Sequence, residues 1–277
     1  MVAIDSFSTR MEELVHAVYA NKANDWKRPH MGASVIGHPC DRFVWLSFRW
    51  ASPPQIDARI HRLFDSGYQE EARIIKDLRT VGLEVHDKDP DTGGQIRFSA
   101  LGGHLSGSVD GVVRGVPDAE KSWHILECKT MNKKHFDAML KSCVKDAKPQ
   151  HYAQMQCYMR GIGLERALYA VTCKDDDRMY FERVHHDKKE SQALFDRAQR
   201  LIFGHIPAYQ ECDECAYCQH RPVCQENAQP SRNCRTCALS EPQKEGGWKC
   251  NNGTPLSQIA TVGCNAWVSV TNPGVAP

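Results

Sequence analysis

Two short segments constrain the fold of this chain more than any other feature: one contains an acidic residue, and the other is a Glu-x-Lys tripeptide. Asp110 lies in Ser-Gly-Ser-Val-Asp-Gly, and Glu127, Cys128 and Lys129 follow an apolar run. If both segments are neighbouring strands, side-chain alternation places Glu127 and Lys129 on one face and Cys128 on the other. Two carboxylates and an ammonium then converge on one point. Because hard oxygen ligands suit Mg²⁺ or Mn²⁺, the pattern predicts metal-assisted phosphodiester hydrolysis.

An acidic residue one hairpin before Glu-x-Lys resembles the PD-(D/E)xK nuclease superfamily. The resemblance implies an α+β, restriction-endonuclease-like core, with a central mixed sheet flanked by helices. It implies that Asp110, Glu127 and the main-chain carbonyl of Cys128 bind one divalent metal ion, Mg²⁺ or Mn²⁺. It also implies that Lys129 positions the hydrolytic water, so a metal-dependent DNA exonuclease is expected.

A long helix is predicted from Gln55 to Val81, after Ser-Pro-Pro. Its apolar residues recur at three and four positions, as they do on a core-facing helix. Glu71 lies on this stripe, whereas Glu70 lies about 100° round the helix. Glu71 either pairs with a core arginine, borders the stripe, or faces the metal bound by Asp110. Residues 67–73 resemble the glycine-to-glutamate helix of phage lambda-type exonucleases, and this resemblance favours the metal.

A polar row on a later helix forms the third candidate element. Gln150, Gln154 and Tyr158 repeat every four residues after Pro149, so they share one helix face. A glutamine-then-tyrosine helix after Glu-x-Lys resembles RecB-like and lambda-type nucleases. The resemblance implies that Gln154 and Tyr158 contact the active site or the DNA backbone, with Gln156 as a second candidate.

The chain has thirteen cysteines, eight of them between Cys212 and Cys264. No apolar signal segment opens the chain, so a cytoplasmic protein is expected and disulfides explain the cysteines poorly. One set has the order of a four-cysteine zinc ribbon, with reduced thiols as the alternative. Its members are Cys234, Cys237, Cys250 and Cys264.

A second cysteine set needs a fourth thiolate. Cys215, Cys218 and Cys224 are spaced by two and then five residues. Cys212 would complete a zinc site, and Cys40 is the distant candidate. The trio with an early cysteine resembles CRISPR-associated RecB-like exonucleases and AddB-type nucleases, which implies a four-iron, four-sulfur cluster with Cys40. The other cysteines are expected to be small buried hydrophobic residues: Cys128, Cys143, Cys157 and Cys173.

The remaining pattern predicts a nuclease domain at residues 1–205 and a cysteine-rich metal-binding region at 206–277. Helices are expected at 11–19, 40–50, 133–145, 150–161 and 188–203, and strands at 83–86, 95–101, 104–113, 123–130, 167–173 and 178–184.

Thirty-five basic and thirty-four acidic residues give no global attraction to nucleic acid, so DNA binding requires a local patch. One follows the Glu-x-Lys strand: Lys133, Lys134, Lys141 and Lys145. It is either a DNA-contacting surface or a solvated helix face. No run of eighteen apolar residues predicts a membrane span. DNA is the expected partner, with a homo-oligomer or a recombination protein as further partners. These features match a phage-type exonuclease of recombination or end processing; the alternative is a non-catalytic nucleic-acid-binding protein.

Overall fold

A computed structural model describes the backbone of residues 2–20, 26–253 and 260–271. In chain order its helices and strands are α1 (Val2–Ala20), β1 (Met31–Gly32), α2 (Ala33–Ile36), α3 (Asp41–Phe48), α4 (Ala58–Thr80), β2 (Glu84–His86), β3 (Arg97–Ala100), β4 (Leu105–Ser108), β5 (Gly111–Arg114), β6 (His124–Met131), α5 (Lys133–Met139), α6 (Val144–Ala147), α7 (Pro149–Ile162), β7 (Arg166–Cys173), β8 (Met179–His185), α8 (Lys188–Phe203), α9 (Arg221–Gln225), β9 (Ser240–Pro242) and β10 (Trp248–Cys250).

The central sheet has five strands in the order β2-β5-β6-β7-β8. β6 and β7 are parallel, and the other three pairings are antiparallel. A smaller sheet has the order β1-β4-β3. The structure therefore confirms the predicted mixed sheet of a restriction-endonuclease-like α+β fold.

The two faces of the central sheet bury different helices. Leu126 and Cys128 of β6 pack with Ile74 and Leu78 of α4 on one face. Ile125 lies in the larger core, to which α7 and α8 contribute. Alternation along β6 therefore directs its odd-numbered side chains toward α7 and its even-numbered ones toward α4.

The predicted strand 104–113 is wrong in one respect, because it is two strands in two sheets. β4 pairs with β1 and β3, whereas β5 pairs with β2 and β6. Val109 extends the pairing of β4 with β3 by one position, since its N–H donates to the carbonyl of Ile96, and the pairing with β6 begins at Gly111. Asp110 thus lies at the junction of the two sheets, where strand pairing changes.

The predicted helix 55–81 begins later, at Ala58, because the Asp57 side chain caps it by accepting from the N–H of Ile60 at 2.8 Å. The expected burial of its first half is wrong. Leu63 and Phe64 are 43% and 45% exposed, whereas Ile74 is fully buried. Only the second half of α4 packs with the central sheet in its core cluster. The first half instead borders a cavity.

The predicted helix 133–145 is also two elements, α5 and α6. Asn132 caps α5 by accepting from the N–H of His135 at 3.0 Å, and Cys143 begins α6. Cys128, Cys157 and Cys173 are buried as predicted, whereas Cys143 is only half-buried.

The cysteine-rich region packs against α3. β9 and β10 form an antiparallel hairpin in which Ser240 pairs with Cys250. The division between residues 205 and 206 stays a prediction. No helix in the described part of the chain is long and apolar enough to cross a membrane.

Candidate active site

Asp110 lies beside β6 at the point where β5 stops pairing with it. The ladder between β5 and β6 ends at the pair Gly111 and Leu126. Asp110 immediately precedes β5, and its carboxylate accepts a hydrogen bond of 2.7 Å from the N–H of Cys128. This contact fixes the carboxylate beside the Glu-x-Lys segment and leaves the second oxygen of Asp110 available to a ligand.

Glu127 and Lys129 form an ion pair on the α7 side of β6. Glu127 is completely buried, and its Oε2 atom has no hydrogen-bond partner in the described structure. Burial raises the pKa of Glu127 to about 7, against the attraction of Lys129. Burial opposes the charge of Lys129 too, but Glu127 and Asp110 together raise the pKa of its ammonium.

Glu71 approaches the same point from α4. Burial and then the negative charge of Asp110 raise the pKa of Glu71 to about 7. Glu70 also borders the cavity, where it forms an ion pair of 3.3 Å with Arg73. The structure therefore places Glu71 near Asp110, the position that the resemblance implied, and it places Glu70 at the same opening, which the helical stripe did not predict.

Gln154 and Tyr158 reach the site from α7. The Gln154 amide donates a hydrogen bond of 2.8 Å to the Tyr158 hydroxyl, and both border the cavity. A side chain at Gly107 would lie within 2.5 Å of the Tyr158 ring, so this glycine permits the approach of α7 to β4. Gln156 instead binds the backbone of His185 and Asp187 away from the site.

Residues from both helical layers border one cavity of about 630 Å³, named here the catalytic cavity: Glu70, Glu71, Asp110, Lys129, Gln154 and Tyr158. Glu127 is fully buried and is not among the residues that border it. Arg28 and Arg97 form a cationic wall of this cavity, and His30 lies beside them. Burial and then the nearby guanidinium groups lower the pKa of His30.

Sequence reasoning missed this wall, because its members lie in a loop and an unrelated strand without periodic spacing. The predicted patch of Lys133, Lys134, Lys141 and Lys145 is exposed on α5, α6 and the segment between them. None of the four borders the catalytic cavity.

The described residues do not form a preassembled metal site: among them, no three His, Cys, Asp or Glu side chains are close enough to hold an ion. The donor set nevertheless fits a divalent cation. Burial raises the pKa of Asp110 as well as that of Glu127. A buried carboxylate without compensation is costly, and a cation beside the free Oε2 of Glu127 would offset that cost.

The sequence profile of the PD-(D/E)XK nuclease superfamily matches residues 6–225. The chain belongs to this superfamily. Asp110, Glu127 and Lys129 are the residue types of the superfamily motif. They follow one another in that order along the chain, and their side chains lie close together.

Solved structures resemble the chain at low identity. SSO0001 is 14% identical, with 80% of this chain and 100% of that chain covered and a TM-score of 0.46. An alkaline exonuclease from Laribacter hongkongensis is 17% identical, with coverages of 68% and 90% and a TM-score of 0.43. A phage-related exonuclease from Haemophilus somnus is 16% identical, with coverages of 50% and 68% and a TM-score of 0.37. No curated protein sequence matches the chain.

A second cavity, of about 520 Å³, is bordered by five cysteines from two segments that are far apart in the sequence: Cys40, Cys212, Cys215, Cys218 and Cys224. His38 stacks on Phe43 and contacts the Glu214 carboxylate at 2.9 Å, which joins the beginning of α3 to the later cysteines.

The thiols in this cavity influence one another. Burial raises the pKa values of Cys218 and Cys224, and the nearby Cys40 thiol adds to both shifts. The Sγ atoms of Cys212 and Cys215 are 3.2 Å apart. The structure therefore brings Cys40 to the trio as predicted, and it also leaves Cys212 within the group.

The last four cysteines also approach one another. Burial raises the pKa of Cys234, and the thiols of Cys237, Cys264 and Cys250 contribute in that order. The N–H of Cys237 donates to the carbonyl of Cys234 at 3.2 Å, closing a tight turn. We name the segment from Asn233 to Cys250, with Cys264, the ribbon.

Proposed function

We propose that this protein is a divalent-metal-dependent deoxyribonuclease whose active site is built from Asp110, Glu127 and Lys129. The observation that carries the proposal is Glu127, which is completely buried beside Asp110 with an oxygen, Oε2, that no group of the described residues binds. In a nuclease-superfamily fold, such an oxygen is suited to a metal ligand.

Asp110, Glu127 and the carbonyl of Cys128 would hold Mg²⁺ or Mn²⁺. A bound divalent ion polarises the scissile phosphate and offsets the charge that develops on it. The Lys129 ammonium would hold the attacking water and stabilise the same negative charge from the protein side. Glu71, which borders the same cavity from α4, would assist metal binding directly or through water.

Gln154 and Tyr158 would orient the DNA backbone at the cavity wall, since the Gln154 amide already holds the Tyr158 hydroxyl. The wall of Arg28 and Arg97 would neutralise phosphates, which is the main source of affinity for DNA. Lys133, Lys134, Lys141 and Lys145 do not border the cavity, but they are exposed on and between α5 and α6, which follow β6, and would extend contact along the DNA strand.

We further propose exonuclease rather than endonuclease action, in phage-type recombination or DNA end processing. The support is the resemblance of residues 67–73 and of the glutamine–tyrosine helix to lambda-type enzymes. We also propose that the enzyme acts as a homo-oligomer or together with a recombination protein.

The cysteine groups would hold two structural metal centres. A four-iron, four-sulfur cluster on Cys40, Cys215, Cys218 and Cys224 is supported by the electrostatic contact of Cys40 with the last two. A zinc ion on the ribbon is supported by the mutual approach of Cys234, Cys237, Cys250 and Cys264. Thiolates at these spacings suit both centres.

The proposal is tested by incubating anaerobically purified protein with end-labelled linear and closed circular DNA, single- and double-stranded, with and without Mn²⁺. Linear DNA should be degraded from its ends only with Mn²⁺, and circular DNA should stay intact. Cleavage of circular DNA would make the protein an endonuclease. Binding to DNA in EDTA without degradation in Mn²⁺ would instead identify a non-catalytic nucleic-acid-binding protein.

A further inference from the structure

Arg235, between two of the ribbon cysteines, is a buried arginine with an unusual set of contacts. It is only 2% exposed, and its guanidinium lies over the rings of Trp50, Phe48 and Trp248, at 4.1, 4.9 and 4.9 Å. It donates one hydrogen bond to the carbonyl of Phe48 at 2.9 Å and another to the carbonyl of Pro29. No carboxylate of the described residues forms an ion pair with Arg235. Both of its hydrogen-bond acceptors are backbone carbonyls.

Trp50 links the same ribbon to the residue before Pro29. Its indole N–H donates to the carbonyl of Arg28 at 2.8 Å, and the Asn233 amide donates to the carbonyl of Trp50 at 3.2 Å. Trp50 has a φ of 57°, a conformation that a bulky side chain rarely adopts. Such backbone geometry persists only where the surrounding contacts fix it, and here the ribbon provides them.

The segment held in this way is part of the catalytic cavity. The carbonyl of Pro29 accepts from Arg235 of the ribbon and that of Arg28 accepts from Trp50, while the side chains of Arg28 and His30 border the cavity next to Asp110 and Lys129. Past this segment, the N–H of Met31 donates to the carbonyl of His104 at 2.7 Å. A loop with no regular structure of its own therefore depends on the ribbon for its position.

We propose that Arg235 is a positioning residue for DNA binding: through Pro29, and through Trp50 and Arg28, it holds the cationic wall of the catalytic cavity in place. This inference rests on the proposed function. It makes the ribbon a determinant of DNA affinity rather than a separate appendage, and it assigns to the ribbon no direct contact with the reacting phosphate.

Arg49 provides a matched control. It is buried in the same aromatic cluster, over Trp45 and Trp248, and it also donates to ribbon carbonyls, those of Arg235 and Ser240. It makes no hydrogen bond to residues 28–30 in the described structure. Arg49→Lys therefore removes a buried guanidinium from the same cluster and leaves the hydrogen bonds to Arg28 and Pro29 in place, so the wall should keep its position.

The test compares wild type, Arg235→Lys, Trp50→Phe and Arg49→Lys. Trp50→Phe keeps an aromatic ring but removes the N–H that binds Arg28 together with the five-membered ring that carries it, so it serves if Arg235→Lys does not fold. Three quantities are measured: the Kd for end-labelled linear DNA in EDTA, KM and kcat in Mn²⁺, and amide hydrogen exchange of residues 26–32.

Arg235→Lys and Trp50→Phe should raise Kd and KM by about tenfold, lower the salt dependence of binding by about one phosphate contact, and leave kcat within about twofold. Exchange in residues 26–32 should accelerate in both variants and stay unchanged in Arg49→Lys. Unchanged Kd and exchange in both would overturn the inference. Equal weakening in Arg49→Lys would also overturn it, because general loosening of the aromatic cluster, rather than the hydrogen bonds of Arg235 and Trp50, would then explain the effect.

Failure of the proposed function gives a different result. If wild type binds DNA but does not hydrolyse it, the proposed activity is wrong, while Kd and exchange still decide the role of Arg235. If wild type does not bind DNA, the exchange comparison alone decides whether Arg235 holds the segment.

Discussion

Replacing Glu71 by glutamine should make the metal-free protein more stable at pH 8 while impairing its activity. Glutamine has nearly the same shape as glutamate but carries no charge. Burial and the charge of Asp110 raise the pKa of Glu71 from 4.5 to about 7. Because this folded-state pKa lies above the unfolded-state value, ionised Glu71 destabilises the folded protein.

The size of the effect follows from the shift. Two and a half pKa units correspond to roughly 3 kcal/mol at full burial. Since Glu71 is only half-buried, solvent screening reduces this to about 1–2 kcal/mol. The penalty is absent well below pH 4.5, develops between pH 4.5 and 7, and is complete above pH 7, so at pH 5 it should be about a quarter of its value at pH 8.

The assay is denaturant unfolding in EDTA at pH 8 and pH 5, with Glu70→Gln as the control. Glu70 lies at the same cavity but pairs with Arg73 at 3.3 Å, so its replacement should give no gain in stability. Added Mn²⁺ should stabilise wild type more than Glu71→Gln. A Glu71→Gln protein less stable than wild type at pH 8, or an equal gain from Glu70→Gln, would refute the reasoning.

Three further outcomes are expected. Cys40→Ser should remove the brown colour of anaerobically purified protein, measured by visible absorbance, whereas Cys212→Ser should keep it. Two zinc ions and no iron by elemental analysis would show that the cluster assignment is wrong. Cys250→Ser should lose one zinc ion per chain by the same analysis, and an unchanged metal content would contradict the ribbon assignment. Tyr158→Phe should lower the single-turnover rate of DNA hydrolysis while costing about 1 kcal/mol of stability, and a wild-type rate would exclude a role for its hydroxyl.

The sequence predicted the main elements because their signals are local. The apolar period of α4 and the short apolar runs of β6 and β7 depend on residues close in the chain. The split of 104–113 into β4 and β5 could not be predicted this way. It results from Asp110 accepting the N–H of Cys128, a contact between residues eighteen positions apart.

The site shows the same division. Asp110, Glu127 and Lys129 were predictable because one hairpin brings them together. The exposure of Leu63 and Phe64 was not, since burial depends on how far the sheet extends beneath the helix. The cationic wall was missed because Arg28 owes its position to Trp50 and the ribbon, which no periodic pattern in the sequence connects to it.

The initial rate of linear DNA degradation by Asp110→Asn in Mn²⁺ tests the central claim most directly. Asparagine keeps the size of the side chain and an oxygen that can accept from Cys128, so thermal unfolding should confirm a folded protein. The rate should fall at least about 10²-fold relative to wild type, because the site loses a charged metal ligand. A folded Asp110→Asn protein with the wild-type rate, or a wild type equally active in EDTA, would contradict the account.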